Sequence, residues 1–429
     1  MIARPQRMAA QGSGLAFAVL LAVLLAPTLA QAARPGDLDR SFGDGGLVST
    51  ELGRSDSGAR SVAIDSHHRI VAAGFGYDGS STDFALARYR PSGALDPAFG
   101  VGGKVSSDLG GWEGIASAAI DSRGRIIVAG DRCEDLGENG CDVDRFALAR
   151  YKRDGQLDPS FGTDGVVITY VGGWCEANSV AIDSRGRIVA AGYSASGNTQ
   201  GFALARYKPD GQLDPSFGTG GTVTTPMTQP GLGGPANSVA IDARGRIVVA
   251  GYSPHGSRGN FALARYRPSG DLDHTFSGNG RTTTHVEGGG GANSVALDSR
   301  GRILVAGGGP QSPNFAVARY KGTGALDRSF GGGKIVLGFR HASARSVVID
   351  SRGRVVVTGG NGRFALARFR AGGKIDRSFG GDGKVATHLK HYAGAFSAAI
   401  DSRDRIVVAG FGGLSGHALL ARYIGYRRG

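Results

Sequence analysis

After its first thirty-odd residues this 429-residue chain has no apolar run of the roughly 20 residues that a membrane-spanning helix requires, so nothing downstream reads as a transmembrane segment. Cysteine is scarce. Cys133, Cys141 and Cys175 are the only three, which permits one internal disulfide at most. Catalytic signatures are missing too: H-x-x-x-H, C-x-x-C and G-x-S-x-G do not occur, and the nine histidines are scattered. No cofactor or metal motif is present, so neither is expected.

What the chain has in quantity is glycine, 75 residues of it. At random spacing that would suggest low complexity. Here the glycines recur at fixed places, which assigns them to turns. The reason is a unit repeated seven times between Leu38 and Tyr423: S-V-A-I-D-S-R-G-R-I-V-V-A-G, a variable stretch, then F-A-L-A-R-Y-K-P-D-G-Q-L-D-P-S-F-G-x-G-G-x-V-x-T. His67, His68 and His417 sit where other units carry ordinary residues.

Each unit holds four segments of strand character, typified by Ser179–Asp183, Ile188–Ala191, Phe202–Tyr207 and Thr222–Thr225. The first and third have apolar residues on both faces, as strands between two sheets do. Asp183-Ser184-Arg185-Gly186-Arg187 reads as a hairpin turn, with Gly186 (His68 and Asp404 in the outer repeats) at positive φ. Lys208-Pro209-Asp210-Gly211 reads as a second tight turn. Four short antiparallel strands in about 56 residues, seven times over, describe an all-β, seven-bladed β-propeller. A linear β-solenoid is the alternative, but its coils are usually shorter.

These strings resemble the delta-60 repeat, a propeller-type repeat of bacterial secreted and surface proteins, and more loosely NHL-type blades. The resemblance covers essentially all of Leu38–Tyr423. It implies the propeller fold with the V-A-x-D strand innermost, and it carries no settled biochemical role. If that strand is innermost, Leu47–Thr50 is a fourth-type strand with no blade of its own, and Ala418–Tyr423 a third-type strand with nothing after it. Pairing the two closes the ring and removes two exposed edges.

Residues 1–32 read as a secretory signal: Arg4 and Arg7, an apolar Leu15–Leu25 stretch, then Ala30-Gln31-Ala32 as cleavage site. The rest, 33–429, is then one propeller domain, exported to the periplasm or beyond the cell. Export permits disulfides. Cys133–Cys141 is the local pairing, and pairings of either with Cys175 stay open.

In a four-stranded meander the S-R-G-R and K-P-D-G turns share one end of the ring, and nearly all length variation falls at the other. Between the second and third strands one repeat has the fifteen residues Asp131–Arg145, another the four residues Gly360–Arg363. Variable loops on a rigid ring are where ligand contacts are built. Phe75, Tyr193, Tyr252 and Phe411 follow second strands there, while Trp112 and Trp174 occupy matching G-G-W positions. They form either an aromatic platform or caps on blade junctions. The acids Asp131, Glu134, Asp135, Glu138, Asp142 and Asp144 lack EF-hand spacing, which favours a solvated loop stapled by Cys133–Cys141 over a calcium site.

The formal charge is +13, two units of it from Arg4 and Arg7. The S-R-G-R arginines and the A-R-Y-K cations gather at the short-turn end, where a basic rim could attract anionic surfaces. The other reading has Arg88, Arg150, Arg206, Arg265, Arg319, Arg368 and Arg422 satisfying carboxylates and carbonyls at strand ends. Charge spread round a ring argues against nucleic acid. The expectation is an exported, non-catalytic binding or surface-interaction module for a cell-envelope glycan, peptide or protein. The alternative is a propeller hydrolase or lyase acting on polysaccharide, since this architecture also hosts enzymes.

Overall fold

The computed structural model describes residues 33–426 apart from 134–135, 138–139, 142–143, 197–198, 228–233, 256–257, 310–311, 340–341, 361, 390–392 and 414–415. The side chains of 136–137, 140–141, 196, 199, 258 and 312–313 are likewise outside the description. Seven four-stranded antiparallel sheets form the blades. In blade three the strands run Trp174–Ile182, Ile188–Ser196, Thr199–Tyr207 and Thr222–Thr225, in that order across the sheet. The second and third strands extend past their apolar segments, because the ladder continues into the variable stretch as far as Ser196↔Thr199. A backbone ladder needs hydrogen-bonding partners, not apolar side chains.

Ring closure is as expected. Leu47–Thr50 pairs with the third strand of blade seven, from Leu47↔Ala421 to Thr50↔Ala418. The ends are laced further by Gly36 N–H to Ile424 O (2.7 Å) and Asp39 N–H to Arg422 O (2.8 Å).

The core is divided among the junctions. F-A-L-A-R-Y alternates large and small side chains, and a strand sends successive side chains to opposite faces. Phe202 and Leu204 of blade three therefore face blade four, whose Ala262, Ala264 and Tyr266 offer the shallow surface that receives them. Tyr266 ends this strand by donating its hydroxyl to Thr225 Oγ1 of the blade before (2.9 Å). Truncating one such buried phenylalanine to alanine costs about 3–5 kcal/mol.

A ring of serines joins the innermost strands. The Val239 amide donates to Ser179 Oγ of the preceding blade at 3.1 Å, and the same bond recurs at 3.0–3.2 Å from Ala118 to Ser61, Val180 to Ser117, Val295 to Ser238, Val347 to Ser294 and Ala398 to Ser346. Val62 to Ser397 (3.2 Å) completes the circle. Just before each serine the inner strand bulges by one residue, as between Ala177 and Ser179. The bulge explains the glycine of V-V-A-G, which is not a turn residue. A Cβ on Gly192 would lie 1.8 Å from the Glu176 carbonyl oxygen. The turn glycines behave as expected: Gly186 has φ +77°, and His68 and Asp404 take its place at +62° and +58°.

The K-P-D-G turn is only the beginning of the connection between third and fourth strands. The L-D-P-S-F-G segment after it packs as a clamp with the A-R-Y arginine. Arg206 is 2% exposed, donates from Nε to Asp214 (2.9 Å) and from Nη2 to Ser216 (2.9 Å), and lies over the Phe217 ring at 4.6 Å. Its Nη1 donates to the Pro268 carbonyl of the next blade. Arg88, Arg150, Arg265, Arg319, Arg368 and Arg422 pair in the same way with Asp96, Asp158, Asp273, Asp327, Asp376 and Asp39. These arginines are buried ion-pair partners and supply no basic surface. The second arginine of each S-R-G-R turn is committed as well, as Arg187 is to Asp183 (2.6 Å). What stays exposed at the short-turn end is the first turn arginine of six repeats (Arg123, Arg185, Arg244, Arg300, Arg352 and Arg403) together with cations of the second turn such as Arg90, Arg153, Arg267 and Arg370.

Candidate functional site at the junction of blades one and two

On the variable-loop end, between blades one and two, lies a cleft of about 290 Å³ lined by Arg60, Phe75, Thr82, Trp112, Glu113, Asp131, Cys133 and Asp144 among others. Arg60 is the bulge residue of the first inner strand, which seats it where Ser-V-A-I-D geometry would otherwise be regular. Its guanidinium lies 5.1 Å from the centre of the Phe75 ring. Asp131 and Asp144 come from the second and third strands of blade two, two positions apart across the ladder. Trp112 pairs with Cys133 at the start of the inner strand of the same blade.

Three carboxyls here are held well above their ordinary range. Burial raises Asp144 to about 7, reinforced by the charge of Asp131 and opposed by the Arg145 amide that donates to it at 3.0 Å. Burial likewise raises Asp131 to about 6, with Arg60 pulling down and Glu176 pushing up. Glu113 reaches about 7, again through burial first; Asp108 and Asp83 add to the effect while the Leu109 amide and Arg132 oppose it. Desolvation of the charged form is the common cause.

The aromatic residues singled out from the sequence do not form a single platform. Trp112 and Trp174, the only two tryptophans in the chain, are 38% and 39% exposed at equivalent positions of neighbouring blades. Each is braced by a tyrosine: Trp112 by Tyr77 (centroids 6.3 Å, planes 33° apart) and Trp174 by Tyr193 (5.7 Å, 68°). Tyr193 also donates its hydroxyl to Gln200 (3.0 Å). Exposed Tyr170 extends this patch, with the Arg145 guanidinium 4.6 Å from its ring. Phe411 is half-buried and stacks on Phe396 at 5.4 Å, with Gly58 between it and Phe75. Tyr252 lies in blade four, so close over Gly259 that a Cβ there would meet its ring at 1.8 Å. It packs and does not project.

Cys133 is disulfide-bonded, and Cys175 is free and buried, its thiol pushed up by burial. The Cys141 side chain, and Glu134, Asp135, Glu138 and Asp142 of the acidic insert, lie outside the described residues. The insert backbone pairs as a ribbon, Leu136–Gly137 with Gly140–Cys141.

Six stretches of the chain match the family model described as "Domain of unknown function (DUF5122) beta-propeller": 69–99, 124–161, 186–217, 245–276, 301–330 and 353–379. Each runs from the turn after the inner strand to the phenylalanine of the clamp, Phe99 in the first and Phe276 in the fourth. The chain is a propeller-repeat protein. No curated protein matches this propeller. Among solved structures it is similar to a catalytically inactive virginiamycin B lyase from Staphylococcus aureus with quinupristin, at 9% identity and TM-score 0.50, covering 87% of this chain and 98% of that one. The polysaccharide lyase Uly1 is similar to the same degree: 10% identity, TM-score 0.50, 86% of this chain and 90% of that one. At such identities the likeness is one of fold alone. No helix among the described residues of the propeller is long and apolar enough to cross a membrane.

Arg60 and Glu113 form the part of this site that the sequence motifs do not reveal; Asp131 and Asp144 enter the sequence reading only as members of the acidic insert. The available signal was departure from the repeat. Where blade two has Glu113, two residues before the inner-strand bulge, the other repeats have Ser57, Cys175, Gly234, Gly290, Ala342 and Ala393.

Proposed function

We propose that this propeller is an exported, delta-60-type binding module whose ligand lies across the variable-loop end over blades one to three, and that the ligand is a cell-envelope glycan or an extended peptide. The observation that carries this reading is the pair of exposed tryptophans. A tryptophan kept 38% exposed and braced by a tyrosine is a rigid apolar surface with a polar edge, the kind of group that sugars and peptide side chains stack on. Two of them one blade apart, with the acidic cleft beside the first, make an extended site and not a single pocket. A glycan and peptide array on the mature protein tests it, with Trp112→Ala and Trp174→Ala as variants. Each should weaken the hit by up to about tenfold, the ~0.5–1.5 kcal/mol of one stacking contact. Hits that survive the double variant undiminished would place the ligand elsewhere.

One observation favours a second reading, a polysaccharide-acting enzyme: Asp131 and Asp144, raised to about 6 and 7, stand together in the cleft, and such shifts concentrate at catalytic sites. Turnover of any polymer that disappears in Asp131→Asn and Asp144→Asn would establish it over simple binding.

A further inference from the structure

At the outer lip of the same junction three acids converge from three strands. Asp83 opens the second half of blade one at the head of the strand Thr82–Tyr89, Asp108 follows the strand Lys104–Ser107, and Glu113 is the second residue of Trp112–Ile120 in blade two. A carboxylate oxygen of each lies within 4.8 Å of the others. Two are oriented by hydrogen bonds: Ser106 Oγ donates to Asp83 Oδ2 (3.1 Å) and Ser81 Oγ to Asp83 Oδ1 (3.4 Å), while the Gly110 amide donates to Asp108 Oδ1 (2.7 Å).

Glu113 is the decisive member. It is 2% exposed, and neither carboxylate oxygen is within hydrogen-bond geometry of a donor; the Leu109 amide bears on it only from nearby. Arg132, the cation that bears on it, donates from Nη2 to the Gly110 carbonyl at 3.2 Å. Buried carboxylates are normally paired or bound to metal, because desolvating the charge without a partner is costly. Here the orphaned oxygens face two further acids, an arrangement that repels itself unless a proton is taken up or a cation sits among them.

The repeat shows that this is local. The equivalent triplets at the other junctions are Arg145, Tyr170 and Cys175; Gly201, Pro226 and Gly234; Asn260, His285 and Gly290; Asn314, Gly338 and Ala342; Arg363, His388 and Ala393; and His417, Glu51 and Ser57. Only one junction has three acids; of the eighteen equivalent positions at the other six, Glu51 alone is acidic.

We propose that Asp83, Asp108 and Glu113 hold one divalent cation of the calcium class. Three carboxylates with a serine hydroxyl beside them, and no histidine or thiolate in the set, are hard oxygen donors that suit calcium or magnesium, not zinc. Asp108 is exposed, which gives the ion an entry from solvent and leaves room for water in its shell. The ion ties the outer edge of blade one to the inner strand of blade two, beside the cleft that Glu113 also lines. This inference does not depend on what the cleft binds.

The test uses the metal-free mature chain titrated with calcium chloride and with magnesium chloride by calorimetry, together with terbium luminescence excited through Trp112, the neighbour of Glu113. One site per chain is expected, with calcium half-saturating in the ~0.1–1 mM range found for extracellular modules. Asp108→Asn and Glu113→Gln should each weaken it at least tenfold. Because Asp108 is exposed, its variant reports on the site even if the buried substitution disturbs folding. Absence of both heat and terbium luminescence up to 10-fold above that range, about 10 mM, would overturn the proposal. So would binding unchanged in Asp108→Asn, including binding lost only when the acids of 134–142 are neutralised.

Discussion

Replacing Asp39 by alanine should strike the one junction where the chain has no covalent continuity. Asp39 accepts from Arg422 Nε (2.8 Å), from the Ser41 hydroxyl (2.6 Å) and from the Ser41 amide (3.1 Å), and Arg405 stands 3.6 Å away. Arg422 is 2% exposed, so the variant leaves a guanidinium buried without its carboxylate. Breaking a buried pair in this way costs about 3–5 kcal/mol. With an unfolding entropy of roughly 2.1 cal/mol/K per residue, a ring of about 400 residues loses ~0.8 kcal/mol per degree, so the melting temperature should fall by ~4–6 °C.

The pH dependence supplies the control. Burial works to raise the Asp39 carboxyl, but Ser41 and Arg422 outweigh it and the net shift is downward. A carboxyl lowered in the folded state stabilises above its ordinary range, and that contribution disappears as pH falls through the folded value. The gap between wild type and Asp39→Ala by scanning calorimetry should therefore be full at pH 7 and shrink below about pH 4. Asp214→Ala breaks the same clamp in mid-ring and should melt similarly. Deleting 33–52 removes the clamp and the closing strand together and should add aggregation through the bared edge of Ala418–Tyr423. An Asp39→Ala protein that melts within a degree of wild type at pH 7, or a truncation that stays soluble and equally stable, would refute the closure argument.

Non-reducing digestion of the exported protein should give a Cys133–Cys141 linked peptide and a free Cys175; a linked peptide containing Cys175 would sink the local bridge. Asp144→Asn should stabilise at pH 8 and be neutral near pH 4, because a raised carboxyl contributes stability below its ordinary range and loses it as pH rises through about 7. A fully dry site would give ~4 kcal/mol; an open cleft reduces this to about 1–2 kcal/mol, read as the difference in melting temperature against pH. Gly192→Ala forces a methyl into the Glu176 carbonyl and should cost about 3 kcal/mol or prevent folding, whereas alanine at Gly220, which meets nothing within 4 Å, should cost mainly its φ strain.

The propeller was legible because strand periodicity, turn chemistry and repeat spacing all agreed in register, and the surplus strand Leu47–Thr50 showed how the ring must close. What misled was reading each repeated residue by type alone. Gly192 looked like a turn glycine, yet it serves a bulge on the neighbouring strand. For Arg206, by contrast, the reading that it satisfies a carboxylate at the strand end holds: Asp214, eight residues on, and the Phe217 ring bury it. Of the two readings open for Tyr252, platform or packing, its position over Gly259 fits packing. The acids of the first junction were invisible for the opposite reason. Asp83, Asp108 and Glu113 are thirty positions apart end to end and meet only through strand pairing, so no local motif joins them; comparison of equivalent positions across the repeats would have flagged all three.

The lacing of Gly36 to Ile424 and of Leu47–Thr50 to Ala418–Ala421 has an orienting consequence. Both ends of the propeller arrive at the short-turn side, next to each other, while the tryptophans and the acidic cleft look out from the other side. A tether, tag or neighbouring domain joined at either end would therefore hold the ring by its back. The variable loops would point away from whatever surface the chain is fixed to, and the two ends could be linked and the chain reopened between other blades without altering that orientation.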